Sequence, residues 1–166
     1  MDIPLSLHLS IHFLLALLSG LLAGYYFRER LVSILAGIAA GFLIDLDHVL
    51  EYLLVFKGRF NFQYFFEGRQ FLTSEQLHLW FHAWELAPLL LIIAWLFRRQ
   101  RVVKIIAVTM AFAGAVHLAT DLVINQVPPK FYLLSYRASQ DFQMKNLMTA
   151  DVYKENLELK AELGIK

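Results

Sequence analysis

The sequence predicts an all-α integral membrane protein: a four-helix bundle with an interfacial aromatic loop and a C-terminal surface helix. Three observations predict it. The chain has 166 residues, of which 58% are hydrophobic and 17% charged. A soluble domain has about half apolar residues and about a quarter charged ones, so the excess, with a mean hydropathy of +0.54, points to lipid. The apolar residues also gather into four runs, each long enough to cross ~30 Å of hydrocarbon at ~1.5 Å per helical residue. Finally, the few ionisable residues inside those runs recur at helical spacing, which places them on one face of each helix.

The first helix is expected over about Pro4–Phe27, with Pro4 suited to a first turn. Its start lacks the basic segment of a secretory signal, and the run is longer than a usual signal core, so it reads as a retained span. Arg28-Glu29-Arg30 is a short polar connection. The second helix is expected over about Leu31–Phe56 and contains Asp45-Leu46-Asp47-His48. The segment Lys57–Thr73 mixes six phenylalanine or tyrosine rings with Lys57, Arg59 and Arg69, a combination that settles at a membrane interface. The third helix is expected over about Glu75–Phe97, with Thr73 and Gln76 at capping-box spacing and Pro88 kinking it just beyond Glu85. Arg98-Arg99-Gln100-Arg101 is the next turn. The fourth helix is expected over about Val102–Gln126, stopping before Pro128-Pro129. Residues 1–127 thus read as a four-span domain and 128–166 as a polar tail, with a surface helix from about Ser139 to Leu163.

An ionisable side chain in hydrocarbon is costly unless it is paired, hydrated or metal-bound. Here each run carries several: His8 and His12; Asp45, Asp47 and His48; His78, His82 and Glu85; His117 and Asp121. If successive spans reverse direction, all four sets fall toward one membrane face. Small residues extend the same stripes, among them Gly37, Gly41, Ala111 and Gly114. Small residues let membrane helices approach closely, so these faces are expected to look inward. There are no cysteines, which excludes disulfides and thiolate sites, and a metal must be held by imidazole and carboxylate. Such ligands suit zinc first, with manganese and iron as alternatives.

The expected metal ligands are His12, Asp45, His48, His82, His117 and Asp121. Six exceed one tetrahedral site, so one or two ions are expected. Glu85 and Asp47 are the candidate general bases, and His78 is a supporting residue. Arg59 and Arg69 are candidate contacts for a substrate anion. The bland alternatives are core histidines satisfied by neighbours, which fits His8 well. Snorkelling fits the arginines, and an interhelical salt bridge fits Glu51.

At these positions the chain resembles the YdjM-like membrane-bound metal-dependent hydrolases of bacteria and archaea. That family carries an early His, a Pro-Asp-Leu-Asp-His motif, a His-Ser pair before a later span, and a Gly-x-x-x-His-x-x-x-Asp type motif. The matching residues are His12, Asp45-Leu46-Asp47-His48, His82, and His117 with Asp121. Ile44 stands in place of the motif's Pro and Ala83 in place of its Ser. A looser likeness to zinc-dependent phospholipase C favours a phosphoester. The resemblance implies an intramembrane hydrolase in a prokaryotic cytoplasmic membrane, and a site near the interface, beside the aromatic and basic loop, suits a lipid or lipid-linked substrate.

Two other function classes stand beside it: a metal-ion or proton-coupled transporter, and a structural membrane protein whose polar residues only join helices. Against transport, the polar groups gather at one side of the expected bundle. A net charge of +1 gives no general affinity for nucleic acid. Arg28, Arg30, Arg98, Arg99, Arg101 and Lys104 lie close to helix ends opposite the expected site. The positive-inside rule then turns the site outward.

Overall fold

The computed structural model describes residues 5–165, and Pro4 lies outside them. All regular elements among the described residues are helical. In chain order they are α1 (Leu5–Phe27), α2 (Arg30–Gly41), a 3-10 turn (Leu43–Asp45), α3 (Leu46–Val55), α4 (Phe62–Phe66) and α5 (Arg69–Ser74). Then follow α6 (Leu86–Leu96), α7 (Arg101–Asn125), a second 3-10 turn (Pro129–Tyr132), α8 (Leu134–Ser139), α9 (Met144–Leu147) and α10 (Ala150–Glu162). Three helical runs are long and apolar enough to cross a membrane: Leu7–Phe27, Arg30–Val55 and Arg101–Asn125. The chain divides into two units, Met1–Ile44 with Ala83–Pro128, and Asp45–His82 with Pro129–Lys166.

The first unit holds α1, α2, α6 and α7. Its interior is small and polar: Ala16, Ser19, Ser33, Ala36, Ala107, Thr109 and their neighbours are buried. Its outer surface carries the large apolar side chains, with Leu22 62%, Leu31 72% and Trp95 64% exposed. This inverts the soluble pattern, in which large apolar side chains fill the core. It is the arrangement of membrane helices, which pack through small residues and turn bulky ones to lipid. At the α1–α2 crossing a Cβ on Gly37 would stand 2.8 Å from both the Ala16 carbonyl oxygen and Gly20 Cα. Glycine is therefore what lets these two backbones touch. α7 ends where Gln126 turns left-handed (φ 52°) ahead of Pro128-Pro129, which cannot extend a helix.

The second unit holds α3, α4, α5 and the elements after Pro128. Tyr52 anchors the aromatic segment, its ring lying 4.6 Å from Phe56 and 5.0 Å from Phe60. Its hydroxyl accepts the Asn61 N–H, and the Asn61 side chain caps α4. The C-terminal part pairs with the 75–82 segment. Phe142 and Glu75 carbonyls accept from Leu77 and Met144 N–H at 2.8 and 2.9 Å, and Lys160 reaches Glu75. The Lys160 ammonium beside Glu75 holds that carboxyl below the usual carboxylate range.

The third expected helix is corrected. Helix begins at Leu86, not Glu75, so His78 and His82 lie on an irregular segment. Glu85 stands at the N-cap of α6, so these three residues do not form a helical stripe. Pro88 does not kink a helix. It sits in the first turn of α6, where a missing N–H costs nothing. Left-handed backbone at Glu75 (φ 53°) and Leu79 (φ 41°) breaks the helical path. Buried charges take up the backbone groups that a helix would have paired internally, as described below. α6 is 11 residues, or ~16 Å, short of the ~30 Å hydrocarbon thickness. Thr73 and Ser74 close α5 rather than cap a following helix; the Ser74 hydroxyl donates to the Gln70 carbonyl at 2.8 Å. The expected surface helix of the tail is broken into pieces, with α10 its one long segment.

Candidate metal centre

Each unit gathers its own set of histidines and aspartates. In the first unit, α1 presents His8 and His12 and α7 presents His117 and Asp121, each pair one helical turn apart. All four meet. The Asp121 carboxylate is the hub: Oδ1 lies 3.0 Å from His12 Nε2 and 3.6 Å from His8 Nε2, and Oδ2 lies 3.3 Å from His117 Nε2. Ring centroids of His12 and His117 are 4.1 Å apart, and those of His8 and His12 4.5 Å. His12, His117 and Asp121 are at most 3% exposed.

The end of α2 helps to set this geometry. Its last-turn carbonyls have no intrahelical partner, and the Gly41 carbonyl oxygen lies 3.2 Å from His117 Nδ1. A carbonyl can only accept, so Nδ1 carries the proton. In the neutral ring Nε2 is then a lone pair aimed at a carboxylate. That juxtaposition is repulsive unless a proton or a metal ion lies between the two. His12 adds to this. Its 3.0 Å approach to Asp121 has the distance of a hydrogen bond but not its alignment, and neither ring nitrogen makes a hydrogen bond among the described residues.

Three atoms, one each from His8, His12 and Asp121, lie within 4.8 Å of one another and can hold a metal ion. Tetrahedral bonds of ~2 Å put ligand atoms ~3.3 Å apart, close to the 3.0 and 3.6 Å separations here. Imidazole nitrogen and carboxylate oxygen are the donors zinc takes when no thiolate is present. These residues therefore fit an ion. The groups are equally engaged with one another as ion pairs.

In the second unit His82 is gripped by two carboxylates. Asp45 Oδ1 lies 3.3 Å from Nε2 and Asp47 Oδ2 3.3 Å from Nδ1. A neutral imidazole has one N–H, so one of these contacts again needs a second proton or a cation. His48 lies edge-on to His82 at 5.0 Å and to Phe71 at 5.8 Å.

The segment bearing His82 is held by buried charges of opposite sign. On one side, two carboxylates from one face of α3 accept its amides. Asp47 takes Phe81 N–H at 2.7 Å, and Glu51 faces the N–H groups of His78 and Leu79 at 3.5 and 3.4 Å. On the other side, Arg137 Nη2 donates to the carbonyls of Leu79 and His82 at 3.0 and 2.7 Å. Asp47 is thus engaged with the backbone and with His82.

His78 bonds to Glu51 through Nδ1 at 2.8 Å. Arg69 bonds to Glu67 and lies 4.0 Å over the Tyr64 ring. That guanidinium holds the Glu67 carboxyl below its usual range. Arg59 is exposed.

His8 and Arg137, which the sequence did not assign to the site, also belong to these constellations. The His8–His12 spacing carried a visible signal for His8. Arg137 carried none, because a lone arginine after a run of aromatics does not announce which carbonyls it reaches. Comparison with protein-family models, curated proteins and solved structures finds no match.

Proposed function

We propose that the protein is a membrane-embedded metal-dependent hydrolase acting on a lipid or lipid-linked ester, a phosphoester by preference. The observation that carries this reading is the Asp121 carboxylate faced by three imidazole Nε2 atoms, inside a unit whose surface suits lipid. His8, His12, His117 and Asp121 are the residues that hold an ion, and Gly41 fixes the tautomer of His117. A bound divalent ion supplies a Lewis acid that polarises a phosphoryl or carbonyl oxygen and acidifies water. Where a second ion is bound, Asp45, His48 and His82 are its ligands, with Asp47 orienting His82. The likeness of the motifs to YdjM-like hydrolases supports the same reading, as does zinc's preference for these donors. The basic residues at the opposite helix ends favour a site on the outer face of a prokaryotic cytoplasmic membrane.

The chain's own contribution is to hold ligand atoms in a small-residue interior and, through the Gly41 carbonyl, to keep His117 in the metal-binding tautomer. The test is hydrolysis of phospholipid vesicles by the detergent-purified or reconstituted protein. Wild type releases a phosphorylated headgroup, chelation stops it, and zinc restores it. His117→Ala lowers the rate by more than the ~10–100-fold typical of losing a residue that only supports a ligand. Equal rates in wild type and His117→Ala reject the reading.

A further inference from the structure

We propose that Glu51 and His78 form a carboxylate–imidazole dyad, a second chemical site in which His78 Nε2 exchanges a proton with water or a hydroxyl held beside Trp80 and Phe142. All four residues lie in the second unit. Glu51 is 2% exposed, and its Oε1 lies 2.8 Å from His78 Nδ1. With the Leu79 amide facing Oε2 at 3.4 Å, this carboxylate accepts on both oxygens. Nδ1 therefore donates its proton to Glu51, and in the neutral ring Nε2 is left with its lone pair. That lone pair is open. The His78 side chain is 28% exposed, and among the described residues no hydrogen bond engages Nε2.

Two further observations separate the dyad from an ordinary buried ion pair. The backbone at Leu79 is left-handed, with φ 41°. This is costly for a non-glycine residue and persists only where surrounding contacts over-determine it. Glu51 on the Leu79 amide and Arg137 on its carbonyl are those contacts, and together they turn His78 toward Glu51. The imidazole is also walled by aromatic faces: Phe142 at 4.7 Å and 33°, and Trp80 at 5.6 Å and 23°. These rings pack against the imidazole and restrain its plane. An oriented imidazole backed by a carboxylate is the arrangement of a general base.

In hydrolysis the water O–H bond breaks as Nε2–H forms, and the hydroxide oxygen bonds to the ester centre. The ester bond to the leaving oxygen breaks, and that oxygen takes the proton back from Nε2. Glu51 stabilises the transient imidazolium and keeps its own bond to Nδ1–H throughout. The substrate rests on the hydrolase reading above; the reactivity of Nε2 does not.

The experiment is carbethoxylation of the full-length protein in detergent by diethyl pyrocarbonate at neutral pH, with rates resolved for each histidine by mass spectrometry. His78 reacts several-fold faster than a free histidine peptide, and Glu51→Gln, which keeps an acceptor but removes the charge, slows it several-fold. A wild-type rate at or below the peptide's overturns the dyad even if Glu51→Gln fails to fold. Equal rates in wild type and a folded Glu51→Gln overturn it as well. In the vesicle assay, His78→Gln loses hydrolysis while keeping its metal content if the dyad is the base. Retained hydrolysis removes the catalytic role. Inactive wild type with a fast, Glu51-dependent His78 rejects the hydrolase reading and leaves the dyad standing.

Discussion

Arg137 shows how a single residue can be invisible in sequence and central in structure. It is fully buried, and its Nη2 bonds two carbonyls of the segment that carries His82. Arg137→Met strips a buried charge from its partners, a change that typically costs ~3–5 kcal/mol. The prediction is a loss of that order, read as a fall of the thermal midpoint in detergent; a midpoint within a degree or two of wild type would show the clamp to be dispensable. The ionisable residues of α1 and α7 were legible, because His8–His12 and His117–Asp121 follow the four-residue rule on helices that exist. His78 and Glu85 were misread, because the same rule was applied to a segment that is not helical. Asp47 and Glu51 lie one turn apart on α3 and are both buried. Their partners were not foreseeable, since a carboxylate bonding to backbone amides leaves no mark at the partner positions.

At the scale of elements, α1 and α7 could be read; the second expected helix is interrupted by the 3-10 turn at Leu43–Asp45 between α2 and α3, and the irregular segment could not be read. α1 and α7 begin and end within about two residues of expectation. Long apolar runs and flanking polar turns or prolines define them directly. The 75–85 segment has the composition of a helix. Its conformation is decided by Asp47, Glu51 and Arg137, which offer its backbone stronger partners than a helix would. Pro88 was the available signal, since a proline three residues into an apolar run marks a start as readily as a kink. Helix contacts were legible as small-residue stripes, and the α1–α2 crossing is the sharpest test of them. Gly37→Ala places a methyl 2.8 Å from the Ala16 carbonyl oxygen and Gly20 Cα, and backbone atoms cannot step aside as a flexible side chain can. Overpacking of this kind costs ~1–3 kcal/mol, so thermal unfolding of the variant is expected well below wild type. An unchanged midpoint would mean the crossing is looser than described.

At the scale of the molecule, the surface of the first unit and the three spanning runs fit a membrane protein, and two polar clusters stand out in so apolar a chain. The excess of apolar residues was the most legible feature of all, because it needs no knowledge of contacts. The four-span count was less secure, because α6 is apolar throughout yet too short. The proposed function rests on one claim: the imidazoles and carboxylates gathered around Asp121, which could hold an ion, do so. The most direct test is the metal content of the purified, folded protein by elemental mass spectrometry, beside His12→Ala and Asp121→Asn. The account predicts stoichiometric metal, zinc foremost, in wild type and its loss from both folded variants. Wild type without metal after zinc and manganese are supplied, or metal retained in both variants, would contradict it and leave the histidines and aspartates as ion pairs that join the helices.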